Sequence, residues 1–299
     1  MSTYKKRKIK VKKKNLTILI LIVIGITYGT IKGLSLVKNV FTVKKENIVK
    51  EKTTKKEDTL DNMKKKLDYY NEDYEERYKK YQENNKTIPI EQIIKNVNMN
   101  LDLEPYEDTK EAKNKNTEKI LVNKHYYLSK DYVPKDLEEI SNKYALNGMK
   151  MVKAAKDAFE KMAKDAAKQG LTIIAMSTYR SYTYQVDLYN RYVKEDGKEE
   201  ADTYSGRPGY SEHQTGYAVD VYNKEENYTN FEKTKEYKWM MDHADEYGFI
   251  LRFPKDKEKE TGYHFESWHY RYVGVEAAKY IKNNNISFEE YYATKIKDW

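Results

Sequence analysis

The hydrophobic and polar positions alternate differently in three stretches of the chain. Residues 16–37 form an apolar run that contains a single charge, Lys32. Residues 38–87 are rich in Lys, Glu, Asp and Asn and contain few aliphatic side chains. Residues 88–299 show helical and strand-like periods that glycine and proline separate. The pattern predicts an apolar segment, a polar spacer and then one folded domain.

Within the folded part, three segments have the spacing of amphipathic helices. Apolar residues recur every three or four positions over 144–169, which predicts a helix that ends at Gly170. A second helix is predicted between Ser181, as its N-cap, and Gly197. A third helical pattern covers 230–247.

Short segments rich in β-branched and aromatic residues predict the strands. They lie at 120–122, 171–177, 216–221, 249–253 and 262–265. Residues 201–210 are broken by glycine and proline, which predicts a loop. In the strand 216–221, Ala218 and Asp220 share the face opposite to Tyr217, Val219 and Val221, so we expect one buried and one functional face.

The spacer contains tyrosines at spacings near three and four. They are Tyr69, Tyr70, Tyr74, Tyr78 and Tyr81. This spacing allows a helical stalk over 38–87, and a solvated spacer without a partner is the simpler interpretation.

The net charge of +8 comes from one short segment near the start of the chain. Eight basic residues lie between Lys5 and Lys14, so the rest of the chain carries 48 basic residues (56 − 8 = 48) and 48 acidic ones. This balance argues against a phosphate-binding surface, and we expect no nucleic-acid partner. The chain has no cysteine, which excludes disulfides, thiol catalysis and cysteine ligands for a metal.

The basic cluster and the apolar run together predict a membrane anchor. We assign 1–15 as a cytoplasmic segment and 16–37 as a transmembrane signal anchor, with the stalk and the domain 88–299 outside the cell. A spanning helix needs about 20 residues, so Lys32 must reach the interface. A cleavable signal peptide is the alternative, but no small-x-small cleavage site follows the run.

Two short stretches carry candidate ligands for a catalytic metal. The first contains His213 and Asp220, and a later one contains Glu266 and His269. A hydrolytic Zn²⁺ requires three protein ligands and one open position for water. We assign His213, Asp220 and His269 as the ligands and Glu266 as the general base. Because Glu266 and His269 are three residues apart, we expect an irregular backbone between them.

These stretches resemble a known family. The pattern S-x-H-x-x-G-x-A-x-D ends at Asp220, and E-x-W-H ends at His269. Both resemble the VanY-type zinc D-alanyl-D-alanine carboxypeptidases, and more broadly the peptidoglycan metallopeptidases that share the fold of the Hedgehog signalling domain. The resemblance runs over 88–281. It implies an α+β fold with a small central antiparallel sheet and flanking helices, one Zn²⁺, and a peptidoglycan stem peptide as substrate in a Gram-positive-like envelope.

The same resemblance implies substrate-binding residues. Arg180 follows a predicted strand and precedes a predicted helix, where a helix N-terminus favours anions. The family uses the positions of Arg180, Gln185 and Ser211 to hold the terminal carboxylate of the substrate. We also expect Arg180 to stabilise the developing oxyanion and Trp268 to form one wall of the site. The alternative for Arg180 is an ion pair on the surface. The alternative for Gln185 and Ser211 is that they are ordinary helix and loop residues without a role in binding.

The chain departs from the family at two positions. Gly206 stands where relatives usually carry alanine, which is expected to loosen the rim of the site. Ser267 stands where relatives often have proline, which is expected to change the local stiffness but not the chemistry.

Three functions remain open at this point. The favoured one is a D,D-carboxypeptidase that removes the terminal D-alanine, and the second is an L,D-carboxypeptidase or endopeptidase of the same fold. The third is a non-catalytic wall-binding domain, against which the complete set of three ligands and Glu266 argues.

Overall fold

A computed structural model describes residues 59–298. The helices are α1 (Leu60–Lys66), α2 (Glu75–Asn84), α3 (Ile90–Asn98), α4 (Lys153–Ala167), α5 (Tyr182–Asp196), α6 (Lys198–Tyr204), α7 (Lys235–His243), α8 (Glu258–Thr261), α9 (Val275–Asn284) and α10 (Phe288–Tyr291). The strands are β1 (Lys110–Glu111), β2 (Tyr126–Tyr127), β3 (Leu137–Glu139), β4 (Lys150–Val152), β5 (Ile174–Ser177), β6 (Ala218–Tyr222), β7 (Phe249–Leu251) and β8 (His269–Tyr272). Short 3₁₀-helices include Glu212–Thr215 and Tyr228–Lys233.

No helix within residues 59–298 combines the length and the apolar character needed to span a bilayer. The predicted cytoplasmic segment 1–15 and the predicted anchor 16–37 lie outside the described residues, as does the first part of the spacer.

A four-stranded antiparallel sheet forms the centre of the fold, in the order β5-β6-β8-β7. Two smaller ladders accompany it, β1 with β2 in parallel and β3 with β4 antiparallel. Helices flank this sheet, so the predicted α+β architecture is confirmed.

The two faces of β6 have different partners. Val219 and Val221 lie in the main core, as does Tyr270, which pairs with Val219 from β8. Ala218 and Asp220 lie on the opposite face, where their cross-strand partners are Arg271 and His269. The predicted alternation of this strand is thus observed, and the face that carries Asp220 is also buried.

Helix α4 covers the core face of the sheet. Its residues Ala155, Phe159, Met162 and Ala166 are fully buried, and the ring of Phe159 packs edge-on against Phe249 of β7 at 6.2 Å. Burying a side chain of this size stabilises the fold by roughly 1.5–3 kcal/mol. Helix α4 therefore holds in place the sheet whose opposite face carries the polar site residues.

The predicted helix over 144–169 is wrong in its first third. Gly148 adopts a left-handed conformation (φ 77°), and β4 follows it in place of a helical turn. Ala145 forms a parallel bridge to Ala175, and Leu146 is 42% exposed. Backbone pairing with distant strands outweighs the helical spacing of this segment.

Three other predicted elements differ from the structure. Residues 198–204 form helix α6 where we expected a loop. Residues 262–265 form no strand, because Gly262 is left-handed and the N–H groups of His264 and Phe265 donate to the Thr203 carbonyl and the Glu258 side chain. Residues 120–122 are buried but form no strand. By contrast, α5 begins after Ser181, whose side chain caps it, and ends at Gly197 as predicted.

The later part of the spacer is packed rather than solvated. Met63, Tyr74 and Tyr78 form a buried cluster with the apolar face of α3, and the Tyr78 hydroxyl donates to Asn98 Oδ1 at 2.6 Å. The compact unit begins at Leu60, so it includes helices that precede residue 88, where we expected the domain to begin. The tyrosines have partners because α3 presents an apolar face of its own to them.

Gly216 makes the turn into β6 possible. It is left-handed (φ 73°) and ends the 3₁₀-helix that carries His213, whose carbonyl accepts from the Gly216 N–H at 3.2 Å. A Cβ at this position would lie 3.0 Å from Val152 Cγ2 and 3.1 Å from Leu137 Cδ2. Only glycine meets both constraints.

The substitution Gly216→Ala should lower the free energy of unfolding in two ways. The left-handed conformation costs a residue with a Cβ about 1–2 kcal/mol, and forcing a methyl group against Val152 and Leu137 adds about 1–3 kcal/mol. Gly170→Ala is the matched control, because Gly170 has φ 76° but no atom lies within 4 Å of the place that its methyl group would take. Urea unfolding followed by fluorescence measures both losses, and equal losses would contradict the close packing at Gly216.

Candidate active site

Three predicted ligands converge on the polar face of the sheet. Asp220 of β6 and His269 of β8 are direct cross-strand partners, and His213 approaches from the 3₁₀-helix before β6. One candidate ligand atom from each residue lies within 4.8 Å of the others, and all three side chains are buried. Two imidazoles and one carboxylate are a donor set that suits Zn²⁺. The chemistry of these residues therefore fits the predicted metal.

The orientation of His213 is fixed by a backbone carbonyl. Its Nδ1 lies 2.7 Å from the carbonyl oxygen of Thr178, which can only accept, so Nδ1 carries the proton. The other nitrogen, Nε2, lies 3.2 Å from Asp220 Oδ2. Burial and the nearby Arg180 lower the pKa of His213 to about 4. His213 is thus a neutral imidazole whose free lone pair faces the ligand cluster.

His269 uses its ring nitrogens the other way round. Nδ1 lies 2.9 Å from Asp220 Oδ1, whereas Nε2 lies 3.4 Å from Glu212 Oε2 on the far side of the ring. Burial lowers the pKa of His269, but the hydrogen bonds to Asp220 and Glu212 outweigh it and raise the pKa to about 9. The ring of Phe253 stacks on the imidazole at 4.9 Å. His269 therefore turns Nδ1 toward the cluster.

Arg180 contacts the metal-ligand set directly. Its Nη2 donates to Asp220 Oδ2 at 2.6 Å, and its Nε donates to Ser177 Oγ at 2.9 Å. Burial would raise the pKa of Asp220, but His213 and Arg180 outweigh it and hold this pKa well below its usual range. Within residues 59–298, Nη1 of Arg180 has no hydrogen-bond partner.

Glu266 lies in a turn immediately before β8. The backbone N–H of His269 donates to the Glu266 carbonyl at 3.3 Å, so the backbone between these residues is irregular, as expected from their spacing. The carboxylate is buried, and Oε2 lies 3.9 Å from His269 Nδ1. Burial raises the pKa of Glu266 to about 8. In the part of the chain that the structure describes, no lysine or arginine forms an ion pair with this carboxylate.

A cavity of about 440 Å³ opens over these residues. Arg180, Gln185, Ser211, Glu266 and Trp268 all line it. Its volume falls within the range of about 300–1,000 Å³ that is usual for ligand pockets. Trp268 forms one wall, against which the ring of Tyr228 packs edge-on at 5.1 Å. The structure thus brings every predicted site residue into one cavity.

The predicted carboxylate-binding residues differ in what they offer a ligand. Nε2 of Gln185 donates to the Gly206 carbonyl at 2.8 Å and to Ser205 Oγ at 3.4 Å, while Oε1 is buried and has no hydrogen-bond partner among residues 59–298. Both amide protons of Gln185 are therefore engaged in this arrangement. Arg180 and Ser211 also line the cavity, and each carries a side-chain donor that a carboxylate could use.

The two departures from the family have identifiable contacts, and only Gly206 acts differently from what we expected. A Cβ at Gly206 would lie 2.8 Å from the Tyr210 carbonyl oxygen, so glycine here lets the rim close tightly rather than loosening it. Ser267 Oγ accepts from the Glu232 N–H at 3.2 Å and ties the 3₁₀-helix Tyr228–Lys233 to the turn that carries Glu266.

Sequence reasoning missed Glu212. Its side chain is 5% exposed and lies between His269 and two buried arginines, Arg252 and Arg271. The acidic residue next to the ligand His213 was visible in the motif. Its contacts were not, because Arg252 and Arg271 lie 40 and 59 positions further along the chain.

Comparisons with known proteins agree with this geometry. Residues 148–275 match the family VanY, D-alanyl-D-alanine carboxypeptidase. The chain is 40% identical over 184 residues to YodJ of Bacillus subtilis (strain 168), a protein to which a carboxypeptidase activity is ascribed. This match covers 59% of the chain and 67% of YodJ.

Two solved structures are similar in both sequence and fold. The LD-carboxypeptidase LdcB is 40% identical with a TM-score of 0.54, and the match covers 58% of this chain and 85% of LdcB. A zinc-bound variant of the vancomycin-resistance D,D-pentapeptidase VanY, from a VanB-type resistance cassette, is 32% identical with a TM-score of 0.51. That match covers 58% of this chain and 98% of the other. The chain therefore belongs to the VanY family of D-alanyl-D-alanine carboxypeptidases and is a zinc-dependent peptide hydrolase.

Proposed function

We propose that this enzyme removes the C-terminal D-alanine from peptidoglycan stem peptides. The observation that carries the proposal is the shared cavity, which is lined by the three buried candidate ligands, the carboxylate of Glu266 and the guanidinium of Arg180. A carboxypeptidase needs these groups together, because it must hold a terminal carboxylate and hydrolyse the peptide bond beside it.

Arg180 and Ser211 hold the terminal carboxylate of the substrate. The guanidinium still has Nη1 available, and a charge-assisted hydrogen bond to a carboxylate is stronger than a neutral one. The bonds to Asp220 and Ser177 keep the arginine in one orientation. The carboxylate is thereby positioned at a fixed distance from the metal ligands, which selects the last peptide bond of the chain.

Glu266 moves the proton. His213, Asp220 and His269 would hold Zn²⁺, which would act as a Lewis acid toward the scissile carbonyl and make water a better nucleophile. A carboxylate oxygen of Glu266 accepts the proton of the attacking water and returns it to the leaving nitrogen. Burial raises the pKa of Glu266, which makes its carboxylate a stronger base than that of an exposed glutamate.

An L,D-carboxypeptidase activity is the second candidate. The chain is more similar to the LD-carboxypeptidase LdcB than to the D,D-pentapeptidase VanY, although both share the fold. The two activities differ in the configuration of the residue before the scissile bond. A wall-binding domain without activity is disfavoured, because Glu266 and the three ligands are all in place.

Purified muropeptides distinguish these candidates. Incubation with the zinc-loaded enzyme should shorten pentapeptides by one alanine and leave tetrapeptides intact, as measured by mass spectrometry. Loss of alanine from tetrapeptides alone would replace the D,D-activity with the L,D-activity. Loss from neither substrate would remove the proposed function.

The variants Glu266→Gln and His213→Ala should separate proton transfer from metal binding. Glu266→Gln should keep one zinc per chain and lower kcat by about 10²–10⁴-fold, because only the general base is lost. His213→Ala should lose both zinc and turnover. Zinc content is measured by atomic emission, and His243→Ala is the control because His243 pairs with Glu246 on the surface. Full turnover by Glu266→Gln would disprove the assignment of the base.

We also propose that residues 16–37 anchor the enzyme to the cell membrane by a single pass. The apolar run with one charge and the eight basic residues before it support this topology, with 1–15 in the cytoplasm. The folded unit that begins at Leu60 then lies outside, where stem peptides are found in a Gram-positive-like envelope.

The full-length chain should stay in the membrane pellet after an alkaline carbonate wash, and a chain that lacks residues 1–37 should not. Protease added to intact protoplasts should digest the folded unit of the full-length chain. A full-length gene product that appears in the soluble fraction at the mass of a cleaved chain would favour a signal peptide over an anchor.

A further inference from the structure

Glu212 contacts the ligand His269 on the side of the ring that faces away from Asp220. Its carboxylate is buried beneath the ligand His269, with Oε2 3.4 Å from His269 Nε2. The other oxygen, Oε1, accepts from Arg252 Nε at 2.8 Å and from Arg271 Nη1 at 3.0 Å. Each of these four side chains is no more than 5% exposed.

The two arginines are themselves held by further partners. Arg252 forms a two-pronged ion pair with Glu289 of α10, at 2.8 Å and 2.5 Å. Arg271 donates from Nη2 to the carbonyl of Ile120 at 2.7 Å. Two arginines and two glutamates therefore balance each other in the interior. Glu289 lies beyond residue 275, where the family match ends.

These contacts determine how Glu212 interacts with His269. Two guanidinium groups donate hydrogen bonds to Oε1, so they stabilise the ionised form of the carboxylate and hold it in place. An ionised carboxylate only accepts, so His269 Nε2 must donate its proton. In the neutral ring the remaining nitrogen, Nδ1, carries the lone pair, and it lies on the side of Asp220 and Glu266. A partner of this kind usually sets the orientation and basicity of a ligating histidine.

We propose that Glu212 is a positioning residue for zinc. Held by Arg252 and Arg271, it accepts the Nε2 proton of His269, fixes the tautomer of that ring and presents Nδ1 to the metal. This inference rests on the zinc site of the proposed function but not on its substrate.

The test is the zinc affinity of the full-length variant Glu212→Gln, measured by competition with a chromogenic chelator without any substrate. The dissociation constant should rise about 10–100-fold. In the zinc-loaded wild type, ¹⁵N NMR of the histidine rings should show a proton on Nε2 of His269, and the variant should weaken or lose this hydrogen bond. A substrate other than the one proposed would alter neither readout.

Glu289→Gln is the matched control. It removes one carboxylate from the same buried network but does not touch His269. Both variants should unfold at lower temperature, while only Glu212→Gln should change the zinc affinity by about tenfold or more. An equal loss of zinc affinity in both variants would show that the network acts through stability alone and would overturn the proposal.

Glu212→Asp covers the case in which Glu212→Gln does not fold. Aspartate keeps the charge balance with Arg252 and Arg271, but its carboxylate is one methylene shorter and no longer reaches Nε2, which lies 3.4 Å from the native carboxylate. Weaker zinc binding with a retained fold supports the proposal. Wild-type affinity together with an unchanged Nε2 proton signal would overturn it.

Discussion

The pairing of Asp220 with His269 across β6 and β8 is the constraint on which the site depends. A shift of β6 by one residue relative to β8 would turn Asp220 to the opposite face of the sheet from His269 and separate the two ligands. The register is fixed from the other side, where Val219 and Tyr270 are fully buried in the main core. Apolar packing on one face of the sheet therefore determines the geometry of the ligands on the other.

The polar face is buried as well, so every charge on it needs a partner. Asp220 has Arg180, and Glu212 has Arg252 and Arg271. Glu266 is the exception within the described residues, because it has no arginine or lysine partner and its pKa is raised by burial. The same environment therefore supports two kinds of carboxylate, one kept ionised by arginine and one able to exchange a proton.

The helices before residue 88 extend the folded unit beyond the motifs of the site. Tyr74 and Tyr78 pack against α3, and Tyr78 also bonds to Asn98. A segment with many Lys, Glu and Asn residues still folds here, because a few aromatic side chains on one face suffice when a neighbouring helix offers an apolar surface. The average composition of this segment reflects the solvent-exposed side of its helices and not the side that packs against α3.

The sequence by itself determined the features that depend on residue type and on spacing over a few positions. His213, Asp220, Glu266 and His269 were identified from residue type and spacing, as were the two faces of β6 and the ends of α5 at Ser181 and Gly197. These signals act within a few residues of the chain. Only the tertiary structure decided which nitrogen of each histidine faces the ligand cluster, how the Gln185 amide is oriented, and where α4 begins. Those features depend on hydrogen bonds between residues far apart in sequence, such as Glu212 and Arg271, and no local pattern encodes such partners.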